Sequence, residues 1–523
     1  MSEQQTVLPL ECPGVEAPAS LPATPSEATA PSLPVEALKL IFSFPAMLGT
    51  LLVGRVFYAN RTFFVDPDVW WHIKVGQDIL RSHHWPTTDP YSYTAAGTPW
   101  IAYEWLGEVI LGSVARLGGI VPLFVLLVAA TSAVTLALYY YATIRSGNCK
   151  AGFIPVAVMG TLTIISFTLR PQMFGYLFLV LLLIVLQWFR KGVTWPLWTL
   201  PILFLAWVNT HGSFIVGIGV LVVYLCCGLK AFRLGDIEAV AWTAKQRIQL
   251  ELVLLFSLAA LPITPYGARL AVYPFDMMFN QPLNVANVTE WHPMPLGADF
   301  GKLFFFVVVA AIVLQLLFRF PWRLEELLLG MAGTLGAFVH ARLLLVFVPF
   351  FVPILAVMVA RFLPPYRRRK EQFFLNAGIM AATLVAMVHY FPSRDYLQGK
   401  LNQDFPVEAL AYIDKNAVPL PMYNTYYYGG YLVGTGRKTF IDGRGDLFER
   451  AGVMGDVLAA SQIKTNPLAI LDHYQIASCL LVKDEPLAVA LMASRRWTRV
   501  YSDSTAAIFV RAELTGTPGG GTP

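Results

Sequence analysis

The sequence predicts an all-α polytopic membrane domain of about 11 transmembrane helices, followed by a small α/β extracytoplasmic C-terminal domain. The first observation is the composition: of 523 residues, 56% are hydrophobic and 14% are charged, whereas soluble proteins carry about 25% charged residues. The second is that apolar runs long enough to cross a bilayer recur between residues 37 and 391. The third is the return to ordinary polar content beyond residue 398.

The N-terminal tail and the cysteines exclude two other interpretations. Residues 1–36 are rich in Pro, Ala, Ser and Glu and contain neither Lys nor Arg. This composition predicts a disordered cytoplasmic tail rather than a cleavable signal peptide. The five cysteines show neither metal spacing nor an even disulfide framework, so they indicate no zinc site and no disulfide scaffold.

The basic residues between the apolar runs predict the orientation of the spans. Lys and Arg cluster in five loops, most densely at residues 367–370 ("RRRK"), and all five share one side if the N-terminus is cytoplasmic. Loops 61–118 and 267–301 then lie outside, within a membrane domain of residues 37–397. The predicted spans are 37–59, 119–143, 152–169, 172–189, 196–208, 213–229, 250–266, 302–319, 324–339, 343–361 and 372–391.

Residues 398–523 predict the extracytoplasmic domain, with a flexible tail at its end. "CLLVKD", "WTRVYSD" and "AAIFVRA" predict strands, and "PVEALAYIDKN" and "PLAVALMAS" predict helices. Gly429 and Gly430 predict a turn between strands. In "FIDGRGD", the charged loop formed by Asp442, Arg444 and Asp446 could bind an acceptor or close over a site in the membrane domain.

The first external loop opens with "VDPDVWWHIKVGQDIL", residues 65–80. Asp66 followed by proline is typical of a helix N-cap, and Asp68 would favour the helix dipole. A purely structural interpretation has the two tryptophans anchor this helix in the membrane interface. The loop continues, however, with a dense alternation of acidic and aromatic residues. Rings that stack on sugar faces and carboxylates that accept hydroxyl hydrogen bonds are typical of a sugar site.

These motifs resemble those of the GT-C superfamily of integral-membrane glycosyltransferases, which use polyprenyl-phosphate-linked sugars as donors. The resemblance spans the chain from the first span to the C-terminal domain and is nearest to the bacterial dolichyl-phosphate-mannose-protein mannosyltransferase-like and aminoarabinose transferase-like branch. It implies a GT-C-like fold, a bacterial inner (cytoplasmic) membrane location and a hexosyl- or pentosyltransferase activity on the extracytoplasmic side. Its carriers are "DPDVWWHIKVGQDIL", "WPTTDPYSYTAAGTPWIAYEWLGE", "RPQMFGYLF", "WVNTHGSFIVG", "TPYG" and "FIDGRGD".

The resemblance also implies catalytic residues. In that superfamily an acidic residue just after the first span acts as the general base or, in some branches, as a metal ligand. By position, Asp66 is the first candidate and Asp68 the second, while Glu104 resembles a second acidic position that orients the acceptor or sugar. Because phosphate is already a good leaving group, a single displacement with inversion is expected. Two carboxylates two residues apart could also share a divalent cation, Mg or Mn, and the sequence leaves this open.

A lipid-phosphate donor needs cations near the outer interface, and acceptor recognition needs polar and aromatic side chains. Each cation taken alone could simply snorkel to the interface, so only their convergence predicts a phosphate pocket. The candidate donor phosphate-binding residues are Arg170 and Arg342, preferred because an arginine fork binds two oxygens, then His211, Arg269 and His340. The candidate acceptor- or sugar-binding residues are Trp70, Trp71, His72, Asp89, Tyr91, Tyr103, Glu290 and His292.

The expected partners are a polyprenyl-phosphate sugar, a glycan, lipid or protein acceptor and the membrane lipids, with no nucleic acid. Two other classes of function stay open. A lipid-linked sugar transporter would need basic residues inside the spans, whereas these cluster at the outer ends. A non-catalytic GT-C-like subunit of a membrane complex would keep the fold, and only the geometry of the site can distinguish it from an enzyme.

Overall fold

The computed structural model describes residues 38–61, 66–164 and 167–514 of the chain. The predicted tails at residues 1–36 and at the C-terminus lie outside the described residues. The fold is mostly helical, at 67%, and contains a three-stranded and a four-stranded sheet. The helices of the first 404 residues are α1 Phe44–Asn60, α2 Val69–Ser82, α3 Trp105–Arg116, α4 Ile120–Ser146, α5 Cys149–Ile164, α6 Gln172–Arg190, α7 Leu200–Thr210, α8 Phe214–Cys227, α9 Ala244–Ala260, α10 Arg269–Phe279, α11 Pro282–Asn287, α12 Asp299–Phe318, α13 Leu324–Val339, α14 Leu344–Ala360, α15 Phe373–His389 and α16 Arg394–Asp404.

A helix lies at each predicted span, but the predicted number of about 11 spans is wrong. Among the described residues, four helical segments are long and apolar enough to cross a membrane, or five if α15 and α16, bent by 62°, form one span. The other helices at predicted spans have 11 to 17 residues and reach only about 16–26 Å, less than the ~30 Å of a bilayer core. The four segments are Ile120–Ser146, Gln172–Arg190, Asp299–Phe318 and Ala341–Ala360. The chain is a multi-pass membrane protein.

The basic loops of the membrane domain meet at one end of the helix bundle. Nη1 of Arg190 lies 2.6 Å from Oε1 of Glu325, and Arg145 pairs with Glu326. Arg323 donates a hydrogen bond of 2.9 Å to Oε1 of Gln187. Buried charges persist at such positions because each has a partner. The chain therefore gathers three of its basic loops at the same end of the bundle, as the charge pattern predicts.

The C-terminal domain is built on a four-stranded sheet. Its strand order is β4-β5-β7-β6, with β4 parallel to β5 and the remaining pairs antiparallel. The three predicted strands and the two predicted helices are confirmed. Strand β4 and four of the helices were not predicted. The elements of the C-terminal domain are α17 Val407–Asn416, β4 Met422–Asn424, α18 Tyr426–Gly434, α19 Gly445–Arg450, α20 Val453–Ser461, α21 Pro467–His473, β5 Ser478–Val482, α22 Pro486–Ala493, β6 Trp497–Ser502 and β7 Ala506–Arg511. The three-stranded sheet lies earlier in the chain and consists of β1 Phe232–Leu234, β2 Ile237–Ala239 and β3 Trp322–Arg323.

The predicted turn at Gly429 and Gly430 is wrong, because both residues lie within α18. A Cβ atom at Gly430 would lie 2.2 Å from the carbonyl oxygen of Pro67, and one at Gly429 would lie 2.2 Å from that of Ile441. The two glycines therefore let α18 approach the start of α2 and the chain before α19 at backbone distance. This contact seats the C-terminal domain on the first external loop.

A fully buried arginine locks the same two regions together. Arg444 donates a hydrogen bond of 2.6 Å to Oδ1 of Asp89 in the first external loop, and it pairs with its neighbour Asp442 at 2.8 Å and 2.7 Å. Its guanidinium lies 5.1 Å from the ring centre of Tyr91 and 4.8 Å from that of Trp100. Two carboxylates and two aromatic faces thus compensate one buried charge. The first loop and the C-terminal domain form one structural unit.

We predict that Arg444→Leu destabilises the protein by about 3–5 kcal/mol, because two buried carboxylates lose their cation. The matched control is Arg437→Gln, which removes a guanidinium from the more exposed pair with Asp414, at 2.6 Å, and should cost at most about 1 kcal/mol. Thermal unfolding of the full chain in detergent measures the difference. Equal losses in the two variants would contradict the interlocking role.

Candidate active site

A cavity of 590 Å³, counted out to its open side, lies between the first external loop, the second external loop and the C-terminal domain. The residues that line it come from distant parts of the sequence. The first loop and the membrane helices contribute Asp68, Trp71, His72, Tyr103, Glu104, Arg170, Gln172 and Arg342, the second loop contributes Met277, Asn284, Val288, Glu290 and Trp291, and the C-terminal domain contributes Tyr426, Gly443, Gly445 and Asp446. Seven of the predicted site residues are thereby brought together with Asp68.

Arg170 holds three carboxylates at the wall of this cavity. Its Nε lies 3.0 Å and 2.9 Å from the two carboxylate oxygens of Asp66. Its Nη1 lies 3.1 Å from Oδ2 of Asp68 and 3.1 Å from Oε1 of Glu290. The residue stands just before α6, so one guanidinium ties the start of a membrane helix to both external loops. We call Arg170, Asp66, Asp68 and Glu290 the arginine clamp.

Asp66 and Asp68 differ in what they face. Asp66 is 3% exposed, does not line the cavity, and accepts a 2.8 Å hydrogen bond from the backbone N–H of Asp68. This turn ends before the helix, which begins at Val69, so Asp66 is not the helix N-cap that the sequence predicts. Asp68 precedes the helix directly and lines the cavity. The structure therefore places Asp68 at the cavity and Asp66 behind it, while the predicted order of the two as catalytic base stays a prediction.

The environment of Asp68 makes its carboxyl group basic. Burial raises the pKa of Asp68 to about 7, against the lowering effect of Arg170, and the charges of Asp66 and Glu290 raise it further. A Cβ atom at Gly443 would lie 1.9 Å from Oδ1 of Asp68, so the C-terminal domain covers this carboxylate at backbone distance. A covered carboxyl with a pKa near neutrality is suited to general base catalysis.

Glu104 stands between two histidines that are neutral. Its Oε1 lies 3.3 Å from Nε2 of His211, and its Oε2 lies 3.6 Å from Nε2 of His72. Burial lowers the pKa of His211 to about 3, with a further lowering by Arg342, and burial also lowers the pKa of His72. Burial raises the pKa of Glu104 to about 8, against the lowering effects of Arg342 and Arg170. These shifts favour the uncharged form of all three groups, so the two contacts join neutral side chains and are not ion pairs.

The hydrogen bonds around these histidines define where their protons lie. Nδ1 of His211 accepts a 3.0 Å hydrogen bond from the backbone N–H of Ser213, so the proton of the neutral ring is on Nε2, facing Glu104. Nδ1 of His72 lies 3.2 Å from Oε1 of Glu108, whose pKa burial raises. Glu108 was not predicted as a site residue, although its position one turn after Glu104 could have indicated it. The four side chains form a continuous chain of titratable groups that starts at the cavity wall.

Arg342 is the second cation of the cavity, and it is less engaged than Arg170. Its Nη1 lies 3.9 Å from Oε2 of Glu290, and its guanidinium lies 5.0 Å from the ring centre of Trp291. His340 supports this arrangement from behind, because its Nδ1 donates a 2.6 Å hydrogen bond to the carbonyl oxygen of Trp291. His340 does not itself line the cavity. Arg342 therefore retains donor groups for an anion.

The C-terminal domain closes the cavity, as one of the two interpretations of its charged loop expected. Asp446, the first acidic residue of α19, is 1% exposed and lines the cavity. Both of its carboxylate oxygens lack a hydrogen-bond partner among the described residues, and burial raises its pKa. Tyr103 lies nearby, stacked on Tyr273 with ring centres 4.2 Å apart. Asn284 and Tyr426 were not predicted as site residues, because only the fold brings them to the first loop.

Besides Asp66, His211 and His340, five more predicted site residues do not line the cavity, and each of the five has another role or position. Trp70 packs edge-on against Tyr431 and Phe405, at 5.4 Å and 6.0 Å, in the contact with the C-terminal domain. Asp89 and Tyr91 surround the buried Arg444. Arg269 is exposed at the start of α10, and His292 is exposed with its Nε2 3.0 Å from the carbonyl oxygen of Ala286. The predicted sugar- or phosphate-binding roles of these five residues are not supported by their positions.

The arrangement of carboxylates does not fit a bound divalent cation. Both oxygens of Asp66 contact Arg170, and one oxygen of Asp68 does so as well. Across the part of the chain that the structure describes, no group of three His, Cys, Asp or Glu side chains is placed to hold a metal ion. The Mg or Mn site considered at Asp66 and Asp68 therefore has no ligand set in this geometry.

The fold is similar to that of a solved archaeal oligosaccharyltransferase. The solved archaeal oligosaccharyltransferase AglB from Archaeoglobus fulgidus, in complex with an inhibitory peptide and a dolichol-phosphate, matches with a TM-score of 0.50 and 12% identity, over 86% of this chain and 69% of that chain. The crystal structure of the Archaeoglobus fulgidus oligosaccharyltransferase in the apo form matches with a TM-score of 0.49 and 13% identity, over 92% of this chain and 74% of that chain.

At these identities the likeness concerns the fold alone. No protein-family model matches the chain, and no curated protein matches it. The GT-C-like fold expected from the sequence is supported, whereas the bacterial mannosyltransferase-like and aminoarabinose transferase-like branch is not confirmed.

We predict that Glu104 keeps its proton at neutral pH and loses it with a midpoint of about 8. Infrared difference spectra recorded across a pH titration would show the loss of a protonated carboxyl band, and the same band would be missing in Glu104→Gln. The matched control is Asp299→Asn, which removes a fully exposed carboxyl and should leave the band unchanged. A band assigned to Glu104 that disappears near the ordinary value of about 4.3 would contradict this environment.

Proposed function

We propose that this protein is a membrane glycosyltransferase that moves a sugar from a polyprenyl-phosphate-linked donor to an acceptor hydroxyl at the cavity. The single observation that carries the proposal is that Asp68 and Arg342 line the same covered cavity. A basic carboxylate and a cation with free donors are the two groups that this reaction needs. The AglB structure contains a dolichol-phosphate, which supports a lipid-phosphate donor at the level of the fold.

Arg342 is the group that we assign to the donor phosphate. The planar guanidinium can bind two phosphate oxygens at once, and the neighbouring Trp291 fixes its plane. Arg342 also lies at the start of a membrane-spanning segment, where a phosphate anchored by a lipid would arrive. Arg170 contributes less to phosphate binding, because the three carboxylates of the arginine clamp already compensate its charge.

Asp68 is the group that we assign as general base. It would take the proton of the acceptor hydroxyl as the oxygen attacks the anomeric carbon and the sugar–phosphate bond breaks, so that the lipid phosphate leaves with the bonding electrons. A single displacement of this kind inverts the anomeric configuration. Asp66 acts as a positioning residue that fixes Arg170 and, through its turn, the backbone of Asp68.

Glu104 and Asp446 are the groups that we assign to the sugar or the acceptor. Protonated Glu104 can donate a hydrogen bond into the cavity. The oxygens of Asp446 accept no hydrogen bond among the described residues, although Arg450 lies 3.7 Å from Oδ2, so they can accept hydrogen bonds from hydroxyl groups. Tyr103 and Trp71 add aromatic surface for a sugar ring. The acceptor can be a glycan, a lipid or a peptide, and the inhibitory peptide in the AglB complex supports the last at the level of the fold.

The proposal includes the location that the sequence favours. The cavity would face the extracytoplasmic side of a bacterial inner membrane, with the N-terminus in the cytoplasm, because the basic loops gather at the other end of the bundle. A non-catalytic subunit of a membrane complex is the second candidate function. It is favoured by the neutralisation of Arg170 within the arginine clamp.

We predict that Asp68→Asn lowers the transfer rate by about 10²–10⁴-fold, because the acceptor hydroxyl loses its base. The rate of the wild type should fall as the pH drops through about 7, where Asp68 takes up a proton. Release of label from a panel of polyprenyl-phosphate sugars, supplied with candidate acceptors, measures both effects. Asp66→Asn should slow transfer by up to about a hundredfold through misplacement, but it should keep a pH dependence that Asp68→Asn abolishes.

The control for this experiment is Asp299→Asn, which removes a carboxylate that is fully exposed and distant from the cavity lining. It should retain the wild-type rate and pH profile. Transfer by Asp68→Asn at the wild-type rate would refute the assignment of the base. A wild type that releases no label from any donor, although it binds one of them at the cavity, would favour the non-catalytic subunit.

A further inference from the structure

A second cavity, of 1250 Å³, opens at the other end of the helix bundle. Helix α1 begins at this cavity with Phe44 and ends at Asn60, six residues before Asp66 of the candidate active site. Helix α14 begins just after Arg342 and ends at Ala360, four residues before Pro364 of the second cavity. Each helix has 17 residues and so spans about 26 Å. The two cavities therefore lie at opposite ends of the helix bundle.

Cationic side chains dominate the polar part of this second cavity. Lys150 approaches from the start of α5, while Arg367 and Lys370 come from the loop between α14 and α15. Among the described lining residues, Glu371 is the one carboxylate. It accepts hydrogen bonds from the backbone N–H of Phe44 and from the side chains of Tyr366 and Asn376, so its charge is engaged inside the fold. Three cations therefore face the opening against one occupied carboxylate.

The remaining wall of the second cavity is apolar and faces along the membrane helices. Phe44 and Met47 come from the first turns of α1, and Leu375 and Ile379 come from the first turns of α15. Phe44 stacks on Tyr366 with ring centres 6.2 Å apart, and the ammonium group of Lys150 lies 5.9 Å from the ring centre of Phe44. The cavity thus joins a cationic mouth at the membrane surface to an apolar groove that continues toward the bilayer interior.

We propose that this cavity binds an anionic phospholipid of the surrounding membrane. The phosphate of the headgroup would lie among Lys150, Arg367 and Lys370, and the upper part of an acyl chain would lie along the apolar groove. The charge complementarity selects an anion, and the apolar groove selects an amphiphile over a free ion. Because helix α1, about 26 Å long, separates this cavity from the candidate active site, the proposal does not depend on the proposed function.

The test compares lipid binding by the full chain and by two matched variants, using native mass spectrometry in detergent. The groove variant combines Lys150→Gln, Arg367→Gln and Lys370→Gln. The control variant combines Lys230→Gln, Arg233→Gln and Lys245→Gln, which removes the same charge from the loop after α8 and the first turn of α9, at the same end of the bundle but outside the cavity lining. We expect the wild type and the control to prefer phosphatidylglycerol over phosphatidylcholine by about tenfold or more, and the groove variant to lose this preference.

Three results would overturn the proposal. A control variant that loses the preference as fully as the groove variant would show a diffuse surface charge effect. Displacement of phosphatidylglycerol by an equal concentration of inorganic phosphate would point to a free-anion site, and a stronger preference for polyprenyl phosphate would point to a donor or product site. A second measurement needs no variant: a photoreactive phosphatidylglycerol should label residues 44–47 or 375–379 of the wild type, and exclusive labelling elsewhere would contradict the assignment.

Discussion

Arg170 is the charge on which the architecture of the candidate site depends. A guanidinium removed from bulk water must be paired, and this one is paired with carboxylates from both external loops. The pairing fixes the start of α6 relative to the start of α2 and to the second loop, and these three segments form much of the cavity wall. The same pairing gives Asp66 and Asp68 different roles. The Asp66 carboxylate accepts hydrogen bonds from Nε of Arg170 and from the backbone N–H of Asp68. This turn leaves the side chain of Asp68 facing the cavity.

A second set of ionisable groups lies a few residues away in a neutral state. Glu104, Glu108, His72 and His211 are buried together, and burial disfavours the charged form of each of them. The cavity thus has a charged side, organised by Arg170, and an uncharged side that donates and accepts hydrogen bonds. Burial raises the pKa of both carboxyl groups, to about 7 for Asp68 and about 8 for Glu104, so near neutral pH Asp68 is the better base and Glu104 is the better hydrogen-bond donor.

The sequence predicted the cavity residues that lie at helix ends, and it failed where the fold joins distant segments. Arg170 and Arg342 could be identified because a charge at the end of an apolar helix needs a partner. Asp89 and Tyr91 are of the residue types that line sugar sites, but here they compensate the buried charge of Arg444, which lies 355 positions after Asp89 in the sequence. Composition cannot distinguish a carboxylate and a ring that bind a sugar from a pair that compensates a buried cation, because the cation comes from a distant part of the sequence.

Helix positions were predicted better than the number of spans. Apolar composition places a helix at each run, but it does not show how long the helix is. The predicted spans 196–208 and 213–229 form helices of 11 and 14 residues on either side of His211, both too short to cross a bilayer core. Gly429 and Gly430 illustrate the opposite case. Their glycine pair is typical of a turn, and it is used instead for close contact between α18 and the start of α2. In both cases tertiary contacts decide the outcome.

A structure of the full chain with a non-transferable polyprenyl-phosphate sugar tests the central claim, that phosphate and base meet in one cavity, most directly. The account predicts the phosphate within hydrogen-bond distance of Arg342, about 2.7–3.2 Å, with the anomeric carbon of the sugar directed toward the space beside Asp68. A donor phosphate bound at another surface, or a segment of a partner protein filling the cavity between Asp68 and Arg342, would contradict it.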